Sequence, residues 1–414
     1  MGPVEAPAVS AVALPRADRP LVSVVMVTFG GWALTRRALE ALAEHTALPF
    51  EVVIVDNPTP EDVAARLRQE LTGAEVLEND RNEGFGPAAT RGAERARGEL
   101  VLFLNTDTLV EPGWLEPLVG TLRSAPQAGA VVPMFLNEDG TVQEAGGLLF
   151  EDASTLMYGY GQPPTDPAYR FRRTVDYGSA ACLLLRRAEF LEAGAFDPAF
   201  APAYCEDVDL QLRLRERGRY TVYEPRSSVV HIRFGSSGLD ERAAAGLVEK
   251  HEAILRERWG HVLAERPPRP EAGVPEQAHR VLEARDAEAV VRVLVVAPSA
   301  PNDLLEALLE RHPSGRITLL ATGSPPDVDR LGGMGVECAG PLEDADSWLR
   351  SRRFHYTAVL AVAEDPDESL RAAMDEHQAQ APILRCAGAD EADAALIRVG
   401  VLSERLAGAP EGIG

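Results

Sequence analysis

The chain has 414 residues, of which 45% are hydrophobic and 25% charged, and its formal net charge is −23. The length predicts two or more domains, and the composition is typical of soluble globular proteins. The acidic balance excludes a general nucleic-acid binder, because phosphate contacts need a basic surface. No apolar run reaches the roughly 18 residues of a membrane-spanning helix, and no signal peptide is evident, so we expect a cytosolic protein.

The first domain is predicted over residues 21–262. Residues 1–20 are rich in Ala, Pro and Val without periodicity and predict a disordered tail. From Leu21 onward, strands are predicted at 22–28, 51–56, 74–78 and 100–104, and helices at 33–45, 60–71 and 87–96. Such alternation predicts a largely parallel sheet with helices on both faces, a three-layer α/β/α fold.

The rhythm changes after Pro112. We predict a helix through residue 122, a strand at 128–134, a looser stretch rich in Gly and Tyr, a strand at 177–185, helices at 188–193 and 207–217, a strand at 221–232 and a helix at 241–259. Loops such as residues 148–171 commonly shape acceptor pockets.

A Pro-rich linker with a short helix is predicted at 263–289, before a small Rossmann-like α/β domain of unknown role at 290–414. Its buried strands are expected at 291–296, 316–320 and 357–362. No glycine-rich loop follows the first of these strands, so dinucleotide binding is unsupported. The four cysteines are scattered and are expected to be reduced thiols.

Polar residues follow the predicted strands of the first domain. Thr28-Phe29 ends the first strand and Asp56 the second, where a carboxylate could accept hydrogen bonds from a base or a ribose. An Asx-turn before Pro58 explains Asp56 equally well. The segment from Asn82 to Gly84 could face phosphate or sugar oxygens, or could simply initiate a helix.

Asp107 follows the apolar strand 100–104, at the sheet edge where open α/β folds bind ligands. It could hold a divalent cation or act as a turn residue. Glu206 and Asp207 open a predicted helix, and three acids within positions 206–209 exceed what capping requires. His231 precedes a Gly/Ser segment at 235–238, which makes a role in a metal or diphosphate site credible.

Taken together, these segments resemble glycosyltransferase family 2, inverting enzymes with the GT-A fold, and most closely its rhamnosyltransferase-type branch. The resemblance covers about residues 21–238 and rests on ordered motifs. They are Val24-Val25-Met26-Val27-Thr28-Phe29, Val53-Ile54-Val55-Asp56-Asn57, Asn82-Glu83-Gly84-Phe85-Gly86, Leu104-Asn105-Thr106-Asp107-Thr108, Gly194-Ala195-Phe196-Asp197, Glu206-Asp207-Val208-Asp209-Leu210 and His231.

The resemblance implies a role for each matching residue. Nucleotide-sugar binding falls to Thr28, Phe29, Asp56, Asn82, Gly84, Arg91, Asn105 and Thr106, the metal site to Asp107 and His231, the acceptor side to Gly178 and Ser179, and catalysis to the general base Asp207 with its neighbour Glu206. Asn105 replaces the first acid of the family's D-x-D motif, which leaves Asp107 as the principal charged ligand. Arg91 stands where many relatives have asparagine, and could contact diphosphate or face solvent.

The implied reaction is a metal-assisted single displacement from a dTDP- or UDP-sugar, with dTDP-rhamnose as one candidate, to a glycan, lipid-linked or natural-product acceptor. Mg²⁺ or Mn²⁺ is the implied cofactor. Peripheral membrane association and the oligomeric state stay open. The alternative is a catalytically degenerate GT-A protein that binds nucleotides or partners, for which Asn105 is the best support.

Overall fold

The structure is a computed structural model that describes residues 11–232, 241–269, 291–312, 316–339, 348–349, 356–362, 368–378 and 381–398. The chain forms two compact units, Met1–Pro164 with Thr174–Arg269, and Thr165–Arg173 with Pro270–Gly414. The predicted Gly/Ser segment at 235–238 and most of the predicted linker, residues 270–289, lie outside the described residues. The domain boundaries proposed from the sequence stay a prediction.

Strands of the first unit are numbered in chain order. They are β1 (Val12–Ala13), β2 (Val22–Thr28), β3 (Phe50–Asp56), β4 (Leu71–Thr72), β5 (Glu75–Glu78), β6 (Leu100–Leu104), β7 (Thr108–Val110), β8 (Ala128–Leu136), β9 (Val142–Glu144), β10 (Gly147–Leu149), β11 (Thr155–Met157), β12 (Arg173–Val175), β13 (Cys182–Arg186) and β14 (Tyr220–His231). The helices are α1 (Trp32–His45), α2 (Val63–Glu70), α3 (Phe85–Arg95), α4 (Leu115–Ser124), α5 (Arg187–Glu192), α6 (Glu206–Glu216) and α7 (Glu241–Leu263).

One large sheet organises this unit, in the order β12-β14-β8-β13-β6-β2-β3-β5, with β7 paired to β14 and β9 to β8. Strands β6, β2, β3 and β5 run parallel; the largely apolar sequences of β6, β2 and β3 are buried on both faces, whereas the edge strand β5 is only partly buried. Strand β13 is antiparallel to β6, with Cys182 opposite Leu104. The residues just before β13 therefore lie at the same sheet edge as the carboxyl ends of β6 and β2.

Small residues let helix α3 lie close to the parallel strands. A Cβ added to Gly92 would be 2.5 Å from Val25 Cγ1 and 3.2 Å from Val55 Cγ2. Ala88, Ala89 and other small side chains complete this buried face. Because the helix follows directly after Gly84, this packing fixes the turn at 82–84 against the sheet edge.

The three-layer α/β fold is confirmed, and the structure differs from the predicted elements in three places. The sheet is mixed rather than largely parallel, because β13 is antiparallel to its neighbours. The strand expected at 177–185 begins only at Cys182, since the amides of residues 178–180 bind side chains instead of a strand. In the predicted tail, Val12–Ala13 pairs with Leu71–Thr72.

The second unit contains a parallel sheet in the order β17-β16-β15-β18-β19. Its strands are β15 (Arg292–Ala297), β16 (Arg316–Ala321), β17 (Val336–Ala339), β18 (Ala358–Val362) and β19 (Ile383–Cys386), and its helices are α8 (Asn302–Arg311), α9 (Val328–Met334), α10 (Glu368–His377) and α11 (Ala389–Arg398). The Rossmann-like arrangement expected from the sequence is confirmed. Within this unit, Arg172 N donates to Gly332 O at 2.6 Å, and the Arg316 guanidinium lies 4.1 Å from the centre of the Phe171 ring.

All four cysteines are free thiols. Over the ranges that the structure covers, no helix has the length and hydropathy needed to cross a membrane.

Candidate functional site

The carboxyl ends of β2 and β3 bring two predicted nucleotide-binding residues together. Thr28 lies opposite Asp56 in the strand register, and its Oγ1 donates a hydrogen bond to Asp56 Oδ1. Burial raises the pKa of Asp56 above its ordinary value, and the bond from Thr28 opposes this shift. Phe29, the next residue, is partly buried. This edge thus presents a desolvated carboxyl group able to bind a base or a ribose.

The turn at 82–84 is held against this edge by Asn57. Asn57 Oδ1 accepts from Glu83 N at 3.1 Å, and Asn57 Nδ2 donates to Gly84 O at 3.3 Å. Asn82 Oδ1 in turn accepts from Gly84 N at 2.9 Å. Gly84 has φ 84°, and a Cβ there would lie 2.7 Å from Pro202 Cα and O. Only glycine fits this close approach to the segment that precedes α6.

Arg91 is partly buried and hydrogen-bonded within the protein, and its role in nucleotide-sugar binding stays a prediction. Its Nη1 donates to Glu78 O at 3.1 Å and to Asn79 Oδ1. Asn79 Nδ2 donates to Asn57 Oδ1 at 2.9 Å. Arg91 therefore supports the turn at 82–84 through two asparagines.

The segment 105–107 leaves β6 and contacts the strand on the acceptor side. Asn105 N donates to Ala181 O at 3.0 Å, and Thr108 Oγ1 donates to the same carbonyl at 3.3 Å. Thr106 and Asp107 are buried, and Asn105 is partly buried. Antiparallel pairing of β7 with β14 puts Thr108 opposite His231.

Asp107 and His231 form the candidate metal pair. Their Oδ1 and Nε2 atoms are 3.5 Å apart. Asp107 is 1% exposed, and its Oδ1 has no hydrogen-bond partner within the part of the chain that the structure describes. A buried acceptor without a donor is unfavourable, so this atom needs a proton or a cation.

Gln143 determines which histidine nitrogen is available to a cation. Its Nε2 donates to His231 O at 2.8 Å, so its Oε1 is the atom 2.8 Å from His231 Nδ1. Nδ1 must therefore carry a proton, and in the neutral imidazole the lone pair is then on Nε2, the nitrogen nearest Asp107. Neutral imidazole and carboxylate are both ligands for Mn²⁺-type cations. Among the described residues, no cluster of three or more His, Cys, Asp or Glu could hold a metal.

The acceptor-side residues lie against helix α6. Gly178 N donates to Gln211 Oε1 at 2.8 Å, and Gln211 Nε2 donates back to Gly178 O at 2.7 Å. Ala180 N donates to Asp207 Oδ2 at 3.1 Å. The predicted acceptor strand and the predicted base are therefore in direct contact. Ser179 N bonds Glu144, a residue that the sequence did not single out.

Two carboxyl groups share the start of α6. Burial raises the pKa of both Glu206 and Asp207, most strongly for Glu206, and the charge of Asp207 adds to the Glu206 shift. Asp207 accepts from Ala180 N and from Val208 N, which favours its ionised form. Glu206 Oε2 is buried and has no partner among the described residues. Asp207 is therefore the first of the two groups to ionise, and Glu206 is the second.

Helix α7 anchors this end of α6. Asp209 is buried and accepts from Trp259 Nε1 at 3.0 Å and Arg213 Nε at 2.9 Å. His251 Nδ1 lies 3.0 Å from Tyr204 O. Tyr204 has a positive φ of 78°, which is rare outside glycine, so the contact stabilises a strained turn next to Glu206.

Sequence reasoning missed Gln143, Glu144 and His251. The first two are adjacent polar residues between Val142 and Ala145, but a strand of three residues has too little periodicity to be recognised. His251 lies on the polar-rich helix α7, where nothing in the local pattern separates it from a solvated side chain.

Comparisons with known proteins identify similar sequences and structures. Residues 23–190 match the sequence model described as Glycosyl transferase family 2. The chain is 28% identical over 259 residues to the N-acetylglucosaminyl-diphospho-decaprenol L-rhamnosyltransferase of Mycobacterium tuberculosis, across 56% of this chain and 82% of that protein. It is 30% identical over 231 residues to the O-antigen biosynthesis protein RfbC of Myxococcus xanthus, across 53% of this chain but only 18% of that protein. Among solved structures, GalNAc-T7 with UDP, GalNAc and Mn²⁺ aligns with a TM-score of 0.46 and 20% identity, over 58% of this chain and 48% of that one.

The mixed α/β sheet with its polar edge is consistent with the GT-A fold of nucleotide-diphospho-sugar transferases. The sequence match is more specific: residues 23–190 match glycosyltransferase family 2, and the chain is similar to a relative named as an L-rhamnosyltransferase. The resemblance drawn from the sequence motifs is confirmed, and the enzyme reading is preferred over a degenerate binding protein. The roles of the individual site residues stay predictions.

Proposed function

We propose that this enzyme transfers a sugar from a nucleoside-diphosphate donor to an acceptor hydroxyl by a single displacement, with inversion at the anomeric carbon. One observation carries the proposal. The Asp207 carboxylate accepts from Ala180 N and Val208 N beside the segment predicted to border the acceptor, while burial raises the pKa of Glu206 well above its ordinary value. A single ionised carboxyl group at this place suits a general base.

In the proposed reaction, Asp207 takes the proton of the acceptor hydroxyl while that oxygen bonds to the anomeric carbon. The bond between the anomeric carbon and the diphosphate oxygen breaks, and the nucleoside diphosphate leaves with the electron pair. Thr28, Asp56 and the turn at 82–84 orient the nucleotide. Only one carboxylate acts on the sugar, so no covalent sugar–enzyme intermediate forms.

The residues present fit a divalent cation. Asp107 Oδ1 is a buried acceptor without a donor, and the lone pair of His231 Nε2 faces it. Mn²⁺ or Mg²⁺ bound there would neutralise charge on the departing diphosphate, whose oxygens would complete the ligand set. Asn105 adds no charge, so Asp107 supplies the only carboxylate of this motif.

The donor and acceptor are proposed from the relatives. The alignment covers 82% of a relative that is named N-acetylglucosaminyl-diphospho-decaprenol L-rhamnosyltransferase. We therefore propose a dTDP- or UDP-sugar donor, with dTDP-rhamnose tested first. A lipid-linked sugar diphosphate is the first acceptor to test, and glycans and small-molecule acceptors are the next.

Asp207→Asn tests the assignment of the base. We expect turnover to fall by about 10²–10⁴-fold, because the amide cannot take the proton, while nucleoside-diphosphate affinity is unchanged. Release of dTDP or UDP from a panel of donors would be measured with and without acceptor. Asp303→Asn, at an exposed acid in the second unit, is the control and should behave like the native enzyme. Native turnover in Asp207→Asn would remove Asp207 from the mechanism.

A further inference from the structure

Glu144 places a third carboxyl group beside the proposed base. It ends β9, it is 3% exposed, and its Oε1 accepts from Ser179 N at 3.2 Å. The next amide along the chain, Ala180 N, binds Asp207. Consecutive amides of one segment thus hold two carboxyl groups side by side on the acceptor side.

Among the described residues, no lysine, arginine or histidine contributes to the shift of the Glu144 pKa, and the charge that acts on it is that of Asp207 on α6. The charge of Glu144 in turn acts on Tyr177, and burial keeps the pKa of that phenol well above its ordinary value, so it stays neutral. The charge of Asp207 also raises the pKa of Glu206. Burial and the Asp207 charge raise the pKa of Glu144 to about 8.

The three acids differ in the number of donors that they receive. Asp207 accepts from two neighbouring amides, Glu144 from one, and Glu206 Oε2 from none. Donors favour the ionised form, so the order of ionisation is Asp207, then Glu144, then Glu206. There is consequently a range of pH in which Asp207 is a carboxylate and Glu144 is still a carboxylic acid.

We propose that Glu144 is an acceptor-orienting residue that donates a hydrogen bond to the acceptor while Asp207 removes the proton, so that transfer requires Glu144 protonated and Asp207 ionised. This inference rests on the proposed function of Asp207. The Ser179 and Ala180 amides already donate to Glu144 and Asp207, so these two amides cannot donate to the acceptor, whereas the proton of Glu144 can. Once Glu144 ionises, Glu144 and Asp207 can both only accept hydrogen bonds. The single proton of the substrate hydroxyl can then be donated to just one of the two carboxylates.

Three variants separate this role from a merely structural one. Glu144→Gln keeps the shape and a donor but cannot ionise, so it should retain transfer and lose the alkaline fall in acceptor kcat/KM. Glu144→Ala has no donor, so its kcat/KM for the acceptor should fall at every pH while nucleoside-diphosphate affinity is native. Glu138→Gln, an exposed acid on the same hairpin, is the control and should keep the native pH profile.

The decisive experiment is a carboxyl ¹³C NMR titration of the full chain labelled at Glu and Asp, for native protein, Glu144→Gln and Asp207→Asn. We expect a glutamate that titrates at about 8 in native protein, is missing from Glu144→Gln, and titrates at lower pH in Asp207→Asn. A Glu144 signal that titrates in the ordinary range, or that Asp207→Asn leaves unmoved, would overturn the proposal. The titration needs no substrate, so failure of the proposed transferase reaction would appear separately, as absent turnover in native protein.

Discussion

At the scale of single residues, the candidate site is marked by buried carboxyl groups that differ in the number of hydrogen bonds they accept. Asp107 Oδ1 and Glu206 Oε2 are buried with no hydrogen-bond partner in the described part of the chain, whereas Asp207 accepts from two amides. A folded protein rarely leaves such atoms unpaired. Asp107 Oδ1 fits a cation, whereas burial favours the protonated form of Glu206. Two similar side chains would then have different chemical roles.

Glu206 should make the stability of the protein depend on pH. Its pKa in the folded state is raised well above the unfolded value, so the folded state binds more protons between these two values. The free energy of unfolding should then fall as the pH rises through this range, by up to about 1.4 kcal/mol per pH unit. Glu206→Gln removes the contribution of Glu206, while those of Asp207 and Glu144 remain, so the stability of this variant relative to the native protein should increase with pH.

Urea unfolding of native protein and Glu206→Gln at several pH values between about 5 and 8 measures this difference in the free energy of unfolding. Glu138→Gln is the control, because an exposed acid should follow the native curve. Parallel curves for native protein and Glu206→Gln would mean that Glu206 is not held protonated by the fold.

Gln143 should matter because it fixes the tautomer of His231. Gln143→Leu removes the acceptor of the Nδ1 proton, so the Nε2 lone pair is no longer oriented toward Asp107. Removing such a supporting group typically lowers metal affinity about 10–100-fold. We expect a loss of this size in Mn²⁺-dependent nucleoside-diphosphate binding, measured by calorimetry. Gln127→Leu, at an exposed position, is the control and should bind the nucleoside diphosphate like native protein. Native binding by Gln143→Leu would mean that His231 is not a metal ligand.

At the scale of elements, the site is formed where strand ends meet two turns. Strands β2, β3 and β6 deliver Thr28, Asp56 and Asp107 to one edge of the sheet. The glycine turn before α3 then contacts the segment before α6, where Phe85 N donates to Pro202 O at 2.7 Å. The turn before α3, predicted to bind the nucleotide, therefore packs against the segment before α6, which carries the predicted base. A substitution in one of them should alter the position of the other.

Gly84→Ala tests this packing. Its Cβ would lie 2.7 Å from the Pro202 backbone, so we expect a loss of about 1–3 kcal/mol in stability and weaker nucleoside-diphosphate binding. Gly218→Ala is the matched control, because Gly218 also has a positive φ, 70°, but no atom within 4 Å of its added Cβ. Thermal unfolding and calorimetry report the two effects. Equal behaviour of the two variants would show that the contact with Pro202 is unimportant.

Much of this arrangement could be predicted from the sequence, because buried parallel strands are continuous apolar runs and the polar residues after them mark the edge. The bounds of β2 and β6 were predicted correctly. The segment 177–181 was predicted as strand because its composition is apolar, but its amides bind Asp207, Gln211 and Glu144, which are distant in sequence. No local pattern encodes such tertiary contacts. The same reason explains why Gln143 and the contacts of Arg91 were missed.

At the scale of the whole molecule, every predicted site residue, from Thr28 to His231, lies in the first unit. The second unit has its own parallel sheet and buried core. The sequence assigns no role to this unit, and the boundary between the predicted domains stays a prediction. With a net charge of −23, the chain would bind the proposed anionic donor against an unfavourable overall field, which would make a local cation at Asp107 and His231 more important.

The measurement that tests the central claim most directly is calorimetric titration of the full chain with UDP, dTDP and GDP, with and without Mn²⁺, using native protein and Asp107→Ala. We predict that one diphosphate binds in a Mn²⁺-dependent way and that Asp107→Ala abolishes this dependence, because its buried carboxylate is the charged ligand. Binding of none of the three, or Mn²⁺-dependent binding that is unchanged in Asp107→Ala, would contradict a metal-assisted transferase site at this edge of the sheet.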